Sequence, residues 1–138
     1  MIDFTNETDT DIDIKLCKKI SDYLTTEDIE LVAVKSEDIK ILNKEYRNID
    51  KTTDVLSFPF EKVPNSPLGS IIINIDKVIE KSNELGHSKN EEFTLLFLHG
   101  LLHILGYDHE CDNGEMREKE KEIIKKFSLP KSLIVRNI

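Results

Sequence analysis

The segment KNEEFTLLFLHGLLHILG, residues 89–106, leaves the fold less freedom than any other part of this sequence. Beyond its first turn it is apolar on almost every side, and such a helix is stable in water only when other elements enclose it. Ser88 and Glu91 form an S-x-x-E capping box that opens the helix. Gly106 supplies a Cβ-free position where its last turn can reverse. The pattern predicts a buried central helix whose two histidines sit inside the protein. With 138 residues, 38% of them hydrophobic and 33% charged, the chain can wrap one such helix in one domain and is too short for two ordinary ones. We read residues 1–138 as a single domain without an internal boundary.

The remaining elements mix strands and helices, an α/β (α+β) pattern. Ile2–Phe4 reads as a short strand. A helix is expected from about Asp11 to Leu24 with Leu16, Ile20, Tyr23 and Leu24 inward, then a strand over Leu31–Val34. Ser36 is placed to cap the next helix, where Ile39, Leu42 and Tyr46 recur at helical spacing and Glu37 and Asp38 suit the dipole of the first turn. In DVLSFPF, Leu56, Phe58 and Phe60 alternate with Val55, Ser57 and Pro59, the period of a two-faced strand, and Pro59 places it at an edge or a strand end. SIIINI reads as a buried strand, followed by a helix from Asp76 to Leu85 that stops at Gly86. The last helix, about Asn113 to Phe127, carries Met116, Glu120, Ile123, Ile124 and Phe127 at helical spacing and a charged outer face.

The acidic start lacks the basic segment and apolar run of a secretory signal, and no stretch approaches the roughly 18 apolar residues of a membrane span. Two cysteines, Cys17 and Cys111, make no disulfide framework and suit a reducing compartment. A cytoplasmic protein with no membrane partner is expected. The net charge of −8 argues against a general nucleic-acid binder, whose affinity comes mainly from Lys and Arg. A local basic groove stays open, because Lys40, Lys44, Arg47 and Lys51 cluster at the end of one predicted helix and its exit loop; a solvated helix face fits the same cluster.

Three of the four histidines lie in HGLLHILGYDH, an HxxxHxxGxxH pattern. His99 and His103, at i and i+4, share one helix face, where two imidazoles can hold one ion. The reversal at Gly106 can return His109 to the same ion. Three imidazoles leave one tetrahedral position for water, the arrangement of a catalytic zinc site. Zinc is the first expectation, and nickel, cobalt and iron also accept imidazole. His87 reads as a loop residue, Asp108 as a turn aspartate and Cys111 as a bystander. The same histidine spacing serves metzincin peptidases, which place a glutamate base after the first histidine; this chain has Gly100 there.

HGLLHILGYDH, preceded by YRNIDKTTDVLSFPFE and followed by Met116 and Glu120, resembles the YbeY family of endoribonucleases and rRNA maturation factors from about Asn43 to Glu120. The resemblance implies an α/β fold with a small mixed sheet around a zincin-like HxxxH helix. It further implies one zinc on His99, His103 and His109, Arg47 as the functional arginine, and single-strand-specific cleavage of ribosomal RNA in 16S 3′-end maturation and ribosome quality control. Ribosomal RNA and ribosomal or ribosome-associated proteins are then the expected partners, with no DNA. The chain departs from the family where Ser70 follows Gly69 in place of a frequent aspartate, and where Leu95 replaces a frequent histidine one turn before His99.

Zinc lowers the pKa of a bound water to about 7, which yields a nucleophile for a phosphodiester, while the arginine fork offers donors to phosphate oxygens. Attack by the 2′-hydroxyl is an alternative. Two other functions fit the same residues: a ribosome assembly or RNA-binding factor whose zinc only stabilises the fold, and a metallopeptidase with its base elsewhere.

Overall fold

β-branched runs and alternating apolar residues build one four-stranded sheet in this computed structural model, which describes residues 1–61, 65–107 and 114–129. The strands are β1 (Ile2–Asn6), β2 (Ile29–Val34), β3 (Val55–Pro59) and β4 (Gly69–Asn74), in spatial order β1-β2-β4-β3. β1, β2 and β4 run parallel, while β3 is an antiparallel edge strand, so the sheet is mixed. Pro59, unable to donate to a ladder, ends that edge strand as its chemistry requires. The helices are α1 (Lys15–Leu24), α2 (Ser36–Arg47), α3 (Ile75–Leu85), α4 (Lys89–Ile104) and α5 (Glu115–Lys126).

Period-two alternation divides the sheet into two faces. Ile29, Leu31, Ala33, Ile71 and Ile73 join the main core with Phe93, Leu96, Phe97 and Leu101 of α4 and Ile123 and Ile124 of α5. On the opposite face Val34, Leu56 and Ile72 pack with Ile39 of α2, and Val32, Leu42 and Phe58 flank them. Register keeps the sets in line: Leu31 is opposite Ile71, and Val32 pairs with Ile72, which pairs with Leu56.

α4 is the enclosed centre that its composition demands, buried from Glu92 through Leu102 and touching β3, β4, α1, α3 and α5. Its capping box forms: Ser88 Oγ accepts from the Glu91 N–H at 3.1 Å, and the Glu91 carboxylate accepts from the Ser88 N–H at 2.9 Å. Gly100 lets the helix lie close to the sheet, since a Cβ there would meet Ile71 Cγ2 at 3.0 Å and Val55 Cγ2 at 3.5 Å. At the far end Gly106 takes φ +105°, the Gly106 N–H donates to His103 O and the Tyr107 N–H to Leu102 O. That pair of bonds closes the helix in a Schellman motif.

Four expectations need correction. α1 begins at Lys15 instead of Asp11, because Asp13 accepts from the Lys15 N–H with its carboxylate and donates its own N–H to Asn90 of α4, which holds 11–14 outside the helix. Its buried face is Cys17, Ile20 and Ser21, and Tyr23 is 46% exposed. Ser36 is the first residue of α2, not its cap. Lys35 holds the cap position, while the Ser36 hydroxyl bonds Asn74. Tyr46, expected inward, is 64% exposed with its ring 5.6 Å from that of Phe58, and Asn43 takes the inner position.

Two buried amides brace the chain between α2 and β3. Asn74 Nδ2 donates to Ser36 Oγ, Thr52 Oγ1 and Thr53 O at 3.0–3.1 Å, and Asn43 Nδ2 donates to Lys51 O at 2.9 Å. α2 itself ends on Asn48 in the left-handed region, φ 57°, with its N–H returned to Asn43 O and Lys44 O.

Candidate metal centre

His99 and His103 project from the same side of α4 one turn apart, as i and i+4 residues must. Their rings stand nearly perpendicular, 85°, with centroids 4.6 Å apart, and the two Nε2 atoms converge to 3.1 Å. Two imidazole nitrogens each about 2.0–2.1 Å from one tetrahedral zinc would be about 3.3–3.4 Å apart. The observed separation is within a few tenths of an ångström of that, so this donor pair fits a shared ion. His103 also lies in the last turn of α4, where the negative end of the helix dipole favours a cation.

His99 is buried and His103 only half-buried, so the pair is closed on one side and accessible on the other. From α5, Glu120 reaches the far nitrogen of the first ring: its Oε1 is 3.0 Å from His99 Nδ1. Among the described residues no third ligating side chain completes a group of three. His109 and its neighbours Asp108 and Cys111 lie outside the described residues. Arg47 is the last residue of α2, exposed, on the helix that packs against the opposite face of the sheet from α4. It forms no ion pair with another described residue. Thus two of the predicted metal ligands come together, and Arg47 is carried on a different element, α2.

Gly100 follows His99 directly and points into the core, at Ile71 and Val55. The position of the peptidase glutamate therefore faces the sheet, and a carboxylate there would be buried among aliphatic side chains. Of the two departures from the family pattern, Leu95 is fully buried in the main core, and Ser70 sits half-buried on β4 opposite Phe58.

The profile described as Endoribonuclease YbeY matches residues 3–128. The chain belongs to the YbeY family. A YbeY endoribonuclease of Aliarcobacter butzleri is 62% identical over 139 residues, with 99% of each chain covered, and that of Nautilia profundicola is 61% identical with the same coverage. The solution structure of TM1509 from Thermotoga maritima superimposes with a TM-score of 0.63 at 28% identity, covering 92% of this chain and 89% of the other. This YbeY member is thus an α+β protein with a four-stranded mixed sheet and five helices among its described residues. None of those helices is long and apolar enough to cross a membrane.

Two contacts were not foreseen from the sequence. Glu120 stood in the inner stripe of the last helix, and a carboxylate at a core position was the available sign that it had a buried partner. His87, expected to be a plain loop residue, places Nε2 2.7 Å from Oε1 of Glu92, and both side chains are almost wholly buried.

Proposed function

We propose that this protein is a metal-assisted endoribonuclease that cleaves single-stranded ribosomal RNA, maturing the 16S 3′ end and serving ribosome quality control in the cytoplasm. The observation that carries the reading is the 3.1 Å convergence of His99 Nε2 and His103 Nε2 on the buried helix of a chain from an endoribonuclease family. His99, His103 and His109 would hold one zinc ion, within one domain spanning residues 1–138. When bound, the ion supplies Lewis acidity toward water and phosphate oxygen.

The protein's own residues do the rest. The packing of α4 buries the His99 ring, and His103 lies edge-on to it with centroids 4.6 Å apart, so the pair is largely ordered before substrate arrives. Arg47, exposed at the end of α2, presents a planar fork of donors to phosphate oxygens and favours the extra charge that develops as the phosphodiester is attacked. With a net charge of −8 the protein has little general attraction for RNA, so affinity rests on local contacts of Arg47, Lys44 and Lys51 and on ribosomal or ribosome-associated partners. The same charge favours a second reading, an assembly factor that binds RNA and uses zinc only to hold its fold.

Single-turnover cleavage of a 16S 3′-end RNA fragment by wild type, His103→Ala and Arg47→Ala, with zinc measured on each preparation, separates the two. The nuclease reading expects zinc lost only from the histidine variant. It also expects a roughly 10²–10³-fold slower cleavage by Arg47→Ala with RNA binding largely kept, the size of losing one transition-state donor. Equal cleavage by all three proteins refutes it. RNA or ribosome association that falls in Arg47→Ala, with cleavage at saturating RNA unchanged, selects the assembly factor.

A further inference from the structure

Nine of the twelve residues of α5 are charged, and among them Glu120 is the one that is buried. It shares the inner side of the helix with Met116, Ile123 and Ile124. A carboxylate is costly in such surroundings unless hydrogen bonds replace its water, and the bond it makes is to His99 Nδ1, with both side chains less than 10% exposed. We infer that Glu120 is a positioning residue that fixes the orientation and tautomer of His99, so that its Nε2 lone pair faces His103 and a metal ion. This rests on the metal site proposed above and names what tunes it.

The chemistry follows from the donor inventory. An ionised carboxylate only accepts, so the proton of a neutral His99 ring sits on Nδ1 and Nε2 is bare. The bare nitrogen is the one that lies 3.1 Å from His103 Nε2. Imidazole ligands commonly donate their second N–H to a carboxylate, which sets the ring and raises its basicity.

The protein contains its own counter-example. In the His87–Glu92 pair the carboxylate engages Nε2, the outer nitrogen, so that atom is committed to the carboxylate. Glu92 lies seven residues before His99, on the same face of α4. Two buried carboxylate–imidazole pairs therefore share one helix face, and only the Glu120 pair leaves the outer nitrogen aimed at a second imidazole.

The test uses the full chain, with Zn²⁺ affinity measured by competition against a chromophoric chelator. It adds the visible spectrum of the Co²⁺ form and the imidazole nitrogen shifts of metal-free protein. Glu120→Ala is expected to weaken Zn²⁺ binding about 10–100-fold, the usual effect of removing such a partner. Glu120→Gln, which keeps the size and an acceptor oxygen but not the charge, is expected to fall between wild type and alanine and to perturb the Co²⁺ spectrum. Glu92→Gln should leave Zn²⁺ affinity at the wild-type level. In metal-free wild type, His99 should carry its proton on Nδ1. Zn²⁺ affinity equal to wild type in folded Glu120→Gln or Glu120→Ala overturns the inference, as does a wild-type His99 protonated on Nε2. If the alanine variant does not fold, the glutamine variant and the wild-type tautomer decide. Wild type that binds no Zn²⁺ defeats the metal reading itself, a different result from variants that bind it undiminished.

Discussion

Gly100 holds α4 against the sheet next to the first histidine, and the cost of adding one carbon there can be worked out. A Cβ at position 100 would lie 3.0 Å from Ile71 Cγ2 and 3.4 Å from Ile71 Cγ1, whereas carbon atoms rest at about 3.5–4.0 Å. About half an ångström of room is missing, and Ile71 is fully buried. Overpacking of this kind costs about 1–3 kcal/mol. Replacing a mid-helix glycine by alanine returns about 1 kcal/mol through backbone propensity. Gly100→Ala should therefore destabilise by about 0–2 kcal/mol, and Gly100→Val, bulkier and β-branched, by about 3 kcal/mol. The decisive comparison is Gly100→Ala in an Ile71→Ala background, where both closest carbons are gone. There the propensity term acts alone, and the substitution should stabilise by about 1 kcal/mol. Urea unfolding of the four proteins, wild type, both single variants and the double variant, measures this as a coupling of about 1–3 kcal/mol, the overpacking term itself. If Gly100→Ala has the same effect in both backgrounds, the steric account of this glycine is wrong.

Three further outcomes are expected. In Gly69→Ala the added Cβ falls 2.6 Å from the Phe58 carbonyl oxygen, a backbone atom that moves only if β3 does; a loss of about 2–4 kcal/mol should appear in denaturant unfolding. Ser88→Ala removes half of the α4 capping box and should cost about 1 kcal/mol by the same measurement. Burial pushes the Cys17 thiol from 9.0 up to about 12, with Asp13 adding to the rise and the Thr94 hydroxyl opposing it. The folded state then holds this proton more tightly than the unfolded chain, so the contribution is fully present below pH 9.0 and is lost between pH 9.0 and about 12. At pH 10 the loss should be about 1 kcal/mol in wild type and absent in Cys17→Ala, read as the difference between their stability–pH curves.

Much of the architecture was legible because its signals were local and mutually consistent. The capping box at Ser88 and the glycine stop at Gly106 bracket α4, and both motifs form. The alternation in DVLSFPF and the position of Pro59 describe an edge strand. What could not be read depends on tertiary competition. Ser36 has the chemistry of a cap, yet its hydroxyl serves Asn74, thirty-eight residues away. Tyr46 has the spacing of a core residue, yet the inner face turns toward Asn43, whose amide is needed at Lys51. At the candidate metal centre the i, i+4 histidines were plain from spacing. Glu120 stood in the family pattern and as a carboxylate at a core position, but its contact with His99 was not visible, because that partner lies on another helix.

The amides of Asn74 and Asn43 bear on how the arginine is presented. Residues 48–54 form neither helix nor strand, and a segment of that kind is normally loose. Here its carbonyls at Lys51 and Thr53 and the hydroxyl of Thr52 are tied to buried side chains. Confining a backbone residue to one conformation costs about 1–2 kcal/mol, and in this segment that entropy is surrendered once, during folding. If Arg47 receives a phosphate as proposed, only its long side chain is left to order, and the encounter begins from a mount that is already stiff.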